Sequence, residues 1–208
     1  MHSEPPVSQR LRALVRSMPR TGITLSELIR SVGNDGLLIL VALLTLVFLI
    51  PISIPGVSTV FGAAILLISV SRLVGRELWI PSKLQHRVIG TRKLRPLLRK
   101  ALSWLKKLER VSKPNRIQWL VAAGPVAFFN NAALILGAVL LMMPFGLIPF
   151  SNTFPAVAIL FLAIGLLQRD GVCILLGHIS NVVTIIYFGV LIGGGGLAMR
   201  EVFNRFAG

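Results

Sequence analysis

Six residues can carry charge or a proton within or beside the apolar segments of this chain: Asp35, Arg76, Glu77, Arg169, Asp170 and His178. Ionisable groups in such places are costly to bury and are often functional. Arg76-Glu77 and Arg169-Asp170 each place a cation beside an acid at the end of an apolar run. The arginine fork suits a phosphate, and the pair also suits a salt bridge or an anchor at a membrane surface. His178 lies deepest in an apolar run. A hydrogen bond to a neighbouring helix is its simplest role, and a proton relay is the alternative. Catalytic signatures are missing: there is no His-Glu-x-x-His, P-loop or Gly-x-Ser-x-Gly element. With 7 acids and 3 histidines in all, no spacing requires a metal site. The expectation is no cofactor, no metal and, on balance, no enzyme.

Two proline-rich breaks stand between the apolar runs. The first holds Pro51 and Pro55, followed by Ser58-Thr59. The second holds Pro144 and Pro149, followed by Asn152-Thr153. Proline lacks the backbone donor and clashes with the preceding helical turn, so each break should interrupt a helix. The helix that restarts leaves unpaired N–H groups, which Ser58, Thr59, Asn152 and Thr153 can cap or lend to an anion. Tight turns capped by their own side chains are the plainer alternative. Ala64–Ile68 lies over Ala158–Leu162 at an offset of 94, as does Thr59 over Thr153. The two Arg-acid pairs are offset by 93. An internal duplication is expected, and broken helices in paired repeats point to a binding site. The candidate ligand-binding set is therefore Pro55, Ser58, Thr59, Arg76, Glu77, Pro149, Asn152, Thr153, Arg169, Asp170 and His178. In that reading the breaks share a cavity, with Arg76 or Arg169 at its cytoplasmic mouth.

The elements that must hold these residues are membrane-like. Of 208 residues 54% are hydrophobic and 14% charged, and the mean hydropathy is +0.81. A soluble domain carries about 25% charged residues. Leu37–Ile50 and Gly56–Ser71 are apolar runs that would make helices of roughly 21 and 24 Å, short of a hydrocarbon core of about 30 Å. They either span as a tilted hairpin or re-enter. The fold class expected is all-α and membrane-integral, with short broken or re-entrant helix pairs in two repeats and cytoplasmic amphipathic helices. The expected divisions are a cytoplasmic amphipathic segment (1–36), a first membrane pair (37–71), a basic amphipathic segment (72–116), a second repeat with a final transmembrane helix (117–198), and a tail (199–208).

Within these divisions, residues 7–18 read as an interfacial helix. Thr24 to Glu27 reads as a capping box opening a short helix that Gly33–Gly36 ends. Gly193–Gly196 reads as flexible or closely packed.

The net charge is +15, and residues 72–116 hold 14 of the 22 basic residues against two acids. Between apolar runs, such a segment reads as a cytoplasmic loop beside anionic head groups. Nucleic acid is not an expected partner, because only Trp79 and Trp104 interrupt the basic run with aromatic rings. No secretory h-region is visible, so the N-terminus is expected in the cytoplasm. The single cysteine, Cys173, excludes an intrachain disulfide.

The run "PISIPGVSTVFGAAILLISVSRLVGRELWIP" carries Ile54-Pro55-Gly56, Ser58-Thr59, Gly75-Arg76 and Trp79-Ile80-Pro81. With "PFGLIPFSNTFPAVAIL" and "RDG" further on, it resembles the exopolysaccharide synthesis protein ExoD family, over roughly Gly22 to Ile192. Gln168 departs from the acid expected before Arg169-Asp170. The resemblance implies a bacterial inner-membrane protein linked to exopolysaccharide production, and it supplies no active-site residues. The leading expectation is a component that binds or moves an anionic lipid-linked intermediate, such as a polyprenyl phosphate, or supports the machinery that does. An ion or proton transporter using His178, Glu77 and Asp170 is the second reading. A membrane-embedded transferase is the third. The polysaccharide synthesis machinery and a second copy of the chain are admitted as partners.

Overall fold

The computed structural model describes residues 23–49, 57–75, 116–145 and 148–207, together with Arg12, Arg16, Val88, Ile89 and Ser103. Among the described residues the chain forms five α-helices: α1 (Leu25–Leu46), α2 (Val57–Val74), α3 (Pro125–Leu141), α4 (Thr153–Gln168) and α5 (Gly171–Ala207). A 3-10 turn, Val47–Leu49, extends α1, and another, Gln118–Val121, precedes α3. Ile23–Thr24 pairs antiparallel with Val88–Ile89, which ties the start of α1 to the basic segment. The sequence gives no warning of this pairing.

α1 and α2 form one hairpin, and α3 and α4 form a second. The helices pack in exchange. α1 lies mainly against α4, and α2 mainly against α3, while α5 lies along α4. Leu38, Val41, Ile65, Leu134, Ile159 and Leu162 are buried at the centre. Both breaks lie at the same end of the bundle. Phe48 stacks edge-on against Phe61 across the first, and a Cβ on Gly62 would run into Met142 beside the second. The opposite end gathers the termini of α2 and α4 and the start of α5.

Several sequence expectations change. Gly33–Gly36 does not stop a helix: α1 runs through it. Glycine and asparagine cost only about 1 kcal/mol or less each in a helix, and the buried face of Leu37, Leu38 and Val41 outweighs that. Gly193–Gly196 lies within a helix, and Gly193, Gly194 and Gly195 are not closely packed. α5 continues through it to Ala207, beyond the division expected at 198, and Gly193, Gly194 and Gly195 have no atom within 4 Å of a built Cβ. A helix already nucleated over twenty residues needs only propagation there. The register of the Arg-acid pairs also shifts. α2 ends at Val74 and α4 at Gln168, which are 94 positions apart, and each is followed by a residue with positive φ. These are Gly75 (φ 68) and Arg169 (φ 53), so the helix ends coincide at an offset of 94 while the two Arg-acid pairs stand 93 apart. The interfacial helix at 7–18 and the amphipathic basic helix lie outside the described residues, except that Arg12, Arg16 and Ser103 are helical and exposed. Thr24 stands directly before α1, where a cap belongs.

Candidate functional site

The α4–α5 turn takes up Arg169 and Asp170 in different ways. Asp170 N–H donates to Gly165 O at 2.9 Å, and Arg169 takes the left-handed conformation that closes such a helix end. The Arg169 side chain is exposed. Asp170 is 1% exposed, and its Oδ1 accepts the Val172 N–H at 3.0 Å. Its Oδ2 lies 3.6 Å from Cys173 Sγ. An aspartate at this place caps the first turn of α5 and suits the positive end of its dipole. Gly171 N–H donates to Arg116 O at 2.9 Å, and a Cβ on Gly171 would strike Ile117, so the end of the basic segment seats directly on this turn.

At the other end of α4 the second break is a self-closed turn. Ser151 Oγ donates to Phe145 O at 2.7 Å and reaches Ile148 O at 2.9 Å. Tyr187 O–H donates to Pro149 O at 2.7 Å. Phe145 packs on Phe188, and Phe154 on Tyr187. Asn152 precedes α4 without a side-chain capping bond, and Thr153 opens the helix. Ser58, buried, and Thr59, exposed, lie in the first turn of α2. Pro55, Arg76 and Glu77 lie outside the described residues. α4 has 16 residues, so Arg169 stands roughly 24 Å from Asn152. The fold therefore separates the break residues Pro149, Asn152 and Thr153 from Arg169 and Asp170, and does not bring them into one contact shell.

Between these ends, α5 and α3 run parallel and exchange polar contacts. His178 Nε2 lies 2.9 Å from Asn130 Oδ1. Asn130 Nδ2 donates to Leu120 O at 2.7 Å, in the 3-10 turn before α3. One turn further, Asn181 Nδ2 donates to Ala133 O at 2.9 Å. Both cross-helix contacts span 48 positions, which marks a constant register. Because the Asn130 amide nitrogen is already a donor, its oxygen must accept, and His178 Nε2 carries the proton in this bond. Asn181 is 3% exposed and its Oδ1 has no partner. A Cβ at Gly137 would stand 3.3 Å from that oxygen and 2.7 Å from Ile159 Cγ1, so only glycine fits where α3, α4 and α5 meet.

His178 is thus bonded to a neighbouring helix, as the simpler sequence reading has it. Asn130 and Asn181 are the residues that the candidate set misses. The signal was readable: His178, Asn181, Thr184 and Tyr187 recur every three residues on an otherwise apolar helix. Among the described residues no group of three His, Cys, Asp or Glu is placed to hold a metal.

These features define a class first. It is an apolar helical bundle of two hairpins, closed by a helix whose segment Gly171–Gly195 is long and apolar enough to cross a membrane. α2, α3 and α4 are apolar but shorter. A family model described as exopolysaccharide synthesis, ExoD, matches residues 7–190. The chain is 47% identical over 189 residues to Protein ExoD of Rhizobium meliloti, covering 91% of this chain and 78% of that one. It is 33% identical over 164 residues to an uncharacterised protein of Synechocystis sp., covering 76% and 74%. No solved structure matches the chain. The chain belongs to the ExoD family, whose description places it in exopolysaccharide synthesis.

Proposed function

We propose that this chain is a multi-pass inner-membrane component of exopolysaccharide synthesis that binds, and helps to move, an anionic lipid-linked intermediate. The observation that carries this reading is the segregation of charge along the bundle. Residues 36–71, 117–168 and 171–199 contain no Asp, Glu, Lys or Arg, so the second hairpin and the packed part of α5 are uncharged, and the charges of the first hairpin, Glu27, Arg30, Asp35 and Arg72, lie in the first half of α1 and the last turn of α2. Arg116 and Arg169 stand together at the α4–α5 turn, at the foot of a segment with 14 basic residues. The far end, at the breaks, is aromatic. A bundle of this kind sits across the bilayer with its basic end at the cytoplasmic face. Arg116 and Arg169 there meet the phosphate of a lipid at head-group depth.

The two hairpins are, in this reading, duplicated units. Support comes from the exchanged packing of α1 with α4 and of α2 with α3, and from helix ends that coincide at an offset of 94. Both hairpins open toward the same end, so the repeat is parallel and its axis follows the membrane normal. α5 then carries the C-terminal residues to the outer face.

The test is binding of a polyprenyl phosphate to the purified full chain in nanodiscs. Arg169→Ala should weaken it about ten- to a hundredfold, because a charge-assisted contact contributes roughly 1.5–3 kcal/mol. Wild-type affinity in a folded Arg169→Ala variant removes that arginine from the site. No binding by the wild type ends the lipid-phosphate reading.

A further inference from the structure

We infer that the two hairpins thin the bilayer beside them, so that the lipid seated on their outer face spans less than an ordinary hydrocarbon core. The inference rests on the proposed placement of the bundle across the membrane and deepens it, because it names the lipid boundary along which a head group would be moved.

Reach along the membrane normal carries the argument. The apolar helices Gly36–Leu49, Ser58–Val74, Pro125–Leu141 and Thr153–Gln168 are about 21–26 Å long. A hydrocarbon core is about 30 Å thick. Staggered short helices could fill that thickness between them, but these are aligned. Both breaks lie at one end, where Gly62 meets Met142. Arg72, in the last turn of α2, and Arg169, after α4, mark the other. Tilting the bundle would shorten its reach further. α5 supplies the contrast. Its apolar stretch Gly171–Gly195 is about 38 Å long. Tyr187, which bonds to Pro149 O at the break, stands only about 24 Å along it from Gly171. The helix stays apolar for two further turns, with Val190 and Ile192 exposed. The protein thus offers a full apolar thickness along α5 and a shortened one along the hairpins.

Two arrangements would absorb the shortfall. The hairpins could end beneath the far head groups, or the bilayer could come down to meet them. The backbone decides between the two. The second break is irregular and open to its surroundings, since Phe150 has φ 65 and is 52% exposed. Irregular backbone that faces lipid is not tolerated within the hydrocarbon. The same rule holds the basic end at the surface, where Ile117 has φ 45 and Trp119 is 69% exposed. Trp119 and Tyr187 are also the residue types that favour the membrane interface. Both ends therefore stand at head-group depth, and the bilayer gives way by several Å, at a modest cost per Å. The face against which it thins is apolar over the same short length. Val60, Leu67, Val70 and Val74 form one exposed stripe on α2, and Phe129, Leu136 and Val139 form another on α3. A head group passing along this face crosses a thinner hydrocarbon layer than it meets elsewhere in the membrane.

The experiment reads depth and stability of the full chain in phosphatidylcholine vesicles whose monounsaturated chains run from about 14 to about 22 carbons. Trp79→Phe with Trp104→Phe leaves Trp119 as the only tryptophan. Adding Trp119→Phe together with Phe150→Trp or Ile179→Trp moves the reporter to the break or to the middle of α5. Quenching by lipids brominated near the head group or near the chain end gives its depth. In vesicles of ordinary thickness, Trp119 and the Phe150→Trp reporter should be quenched by the shallow bromines, and the Ile179→Trp reporter by the deep ones. If Phe150→Trp fails to fold, Val60→Trp, exposed at the same end of α2, takes its place. The melting temperature of the wild type should be highest in the shorter chains and fall by several degrees toward the longest. Deep quenching of the reporter at the break, or of Trp119, would mean that the protein ends below the surface, and overturns the inference. A melting temperature that peaks in ordinary or longer chains overturns it as well. Neither readout involves a polyprenyl phosphate, so both results leave the phosphate reading standing. Shallow quenching of Ile179→Trp would show that α5 does not cross the bilayer, and removes the transmembrane placement and this inference together.

Discussion

The two hairpins solve the same packing problem with different polar chemistry. In the first, Thr45 and Ser69 are fully buried, and each returns its hydroxyl to its own helix. Thr45 Oγ1 donates to Val41 O at 2.7 Å, and Ser69 Oγ to Ile65 O at 2.8 Å. In the second, Asn130 and its partners on α5 reach from one helix to another. A hydroxyl that bonds back four residues satisfies itself and specifies nothing about its neighbours. A carboxamide that bonds across helices fixes their register and leaves further valences to fill. The apolar cores are alike, but among the described residues the carboxamide bonds between helices belong to the second hairpin and α5.

If the cores are equivalent, the largest effects should be symmetric. Ile65→Ala in the first hairpin and Leu134→Ala in the second each remove a fully buried side chain. Each should cost about 2–5 kcal/mol, the usual range for such cavities. Reversible unfolding in mixed micelles checks this. A loss confined to one hairpin would show that the bundle has one structural half and one accessory half, and would break the comparison.

Much of the architecture was legible, and its failures are instructive. The proline breaks announced the hairpins, because proline cannot sustain a helix from within. The bond from His178 to a neighbouring helix followed from the cost of burying an unpaired imidazole. The run Gly33–Gly36 misled, because local propensity is a weak prior against the burial of Leu37, Leu38 and Val41. Arg169 and Asp170 looked like one charged pair. The turn between α4 and α5 exposes the first and buries the second, a division set by backbone conformation and invisible in residue type. The exchanged packing of the hairpins depends on tertiary geometry, which no helical period encodes. The polar seam between α3 and α5 was half legible: the spacing of His178, Asn181 and Thr184 was in view, but the partner of His178, Asn130, lies 48 positions before it.

A smaller effect sharpens the contrast. Asn130→Leu strands Leu120 O and the His178 donor at once, and should cost about 1–3 kcal/mol. Adding His178→Leu removes one stranded group and should recover part of that loss. The coupling energy from the double-mutant cycle should be near 0.5–2 kcal/mol, in the range of membrane-buried polar pairs. Strict additivity would mean that the Asn130–His178 contact contributes nothing, and the polar seam would lose its role in holding α3 to α5.

The smallest effects should separate the two kinds of hydroxyl. Thr45→Val exchanges a back-bonded hydroxyl for a methyl of nearly the same shape. It frees no donor on another helix, because Val41 O keeps its place in the α1 ladder. A change within about 0.5 kcal/mol is expected, since replacing a self-satisfied polar group is nearly neutral. Tyr187→Phe instead removes the only O–H in the aromatic cluster of Phe145, Phe154 and Phe188. Pro149 O, which no helical N–H serves, loses its bond to α5. That change should cost about 0.5–1.5 kcal/mol. It should also raise hydrogen exchange in the 148–152 turn while leaving α3 protected. Equal and negligible effects of Thr45→Val and Tyr187→Phe would place the aromatic end of α5 with the self-satisfied first hairpin. The polar line along α5 would then stop at Thr184, short of the far end of the bundle.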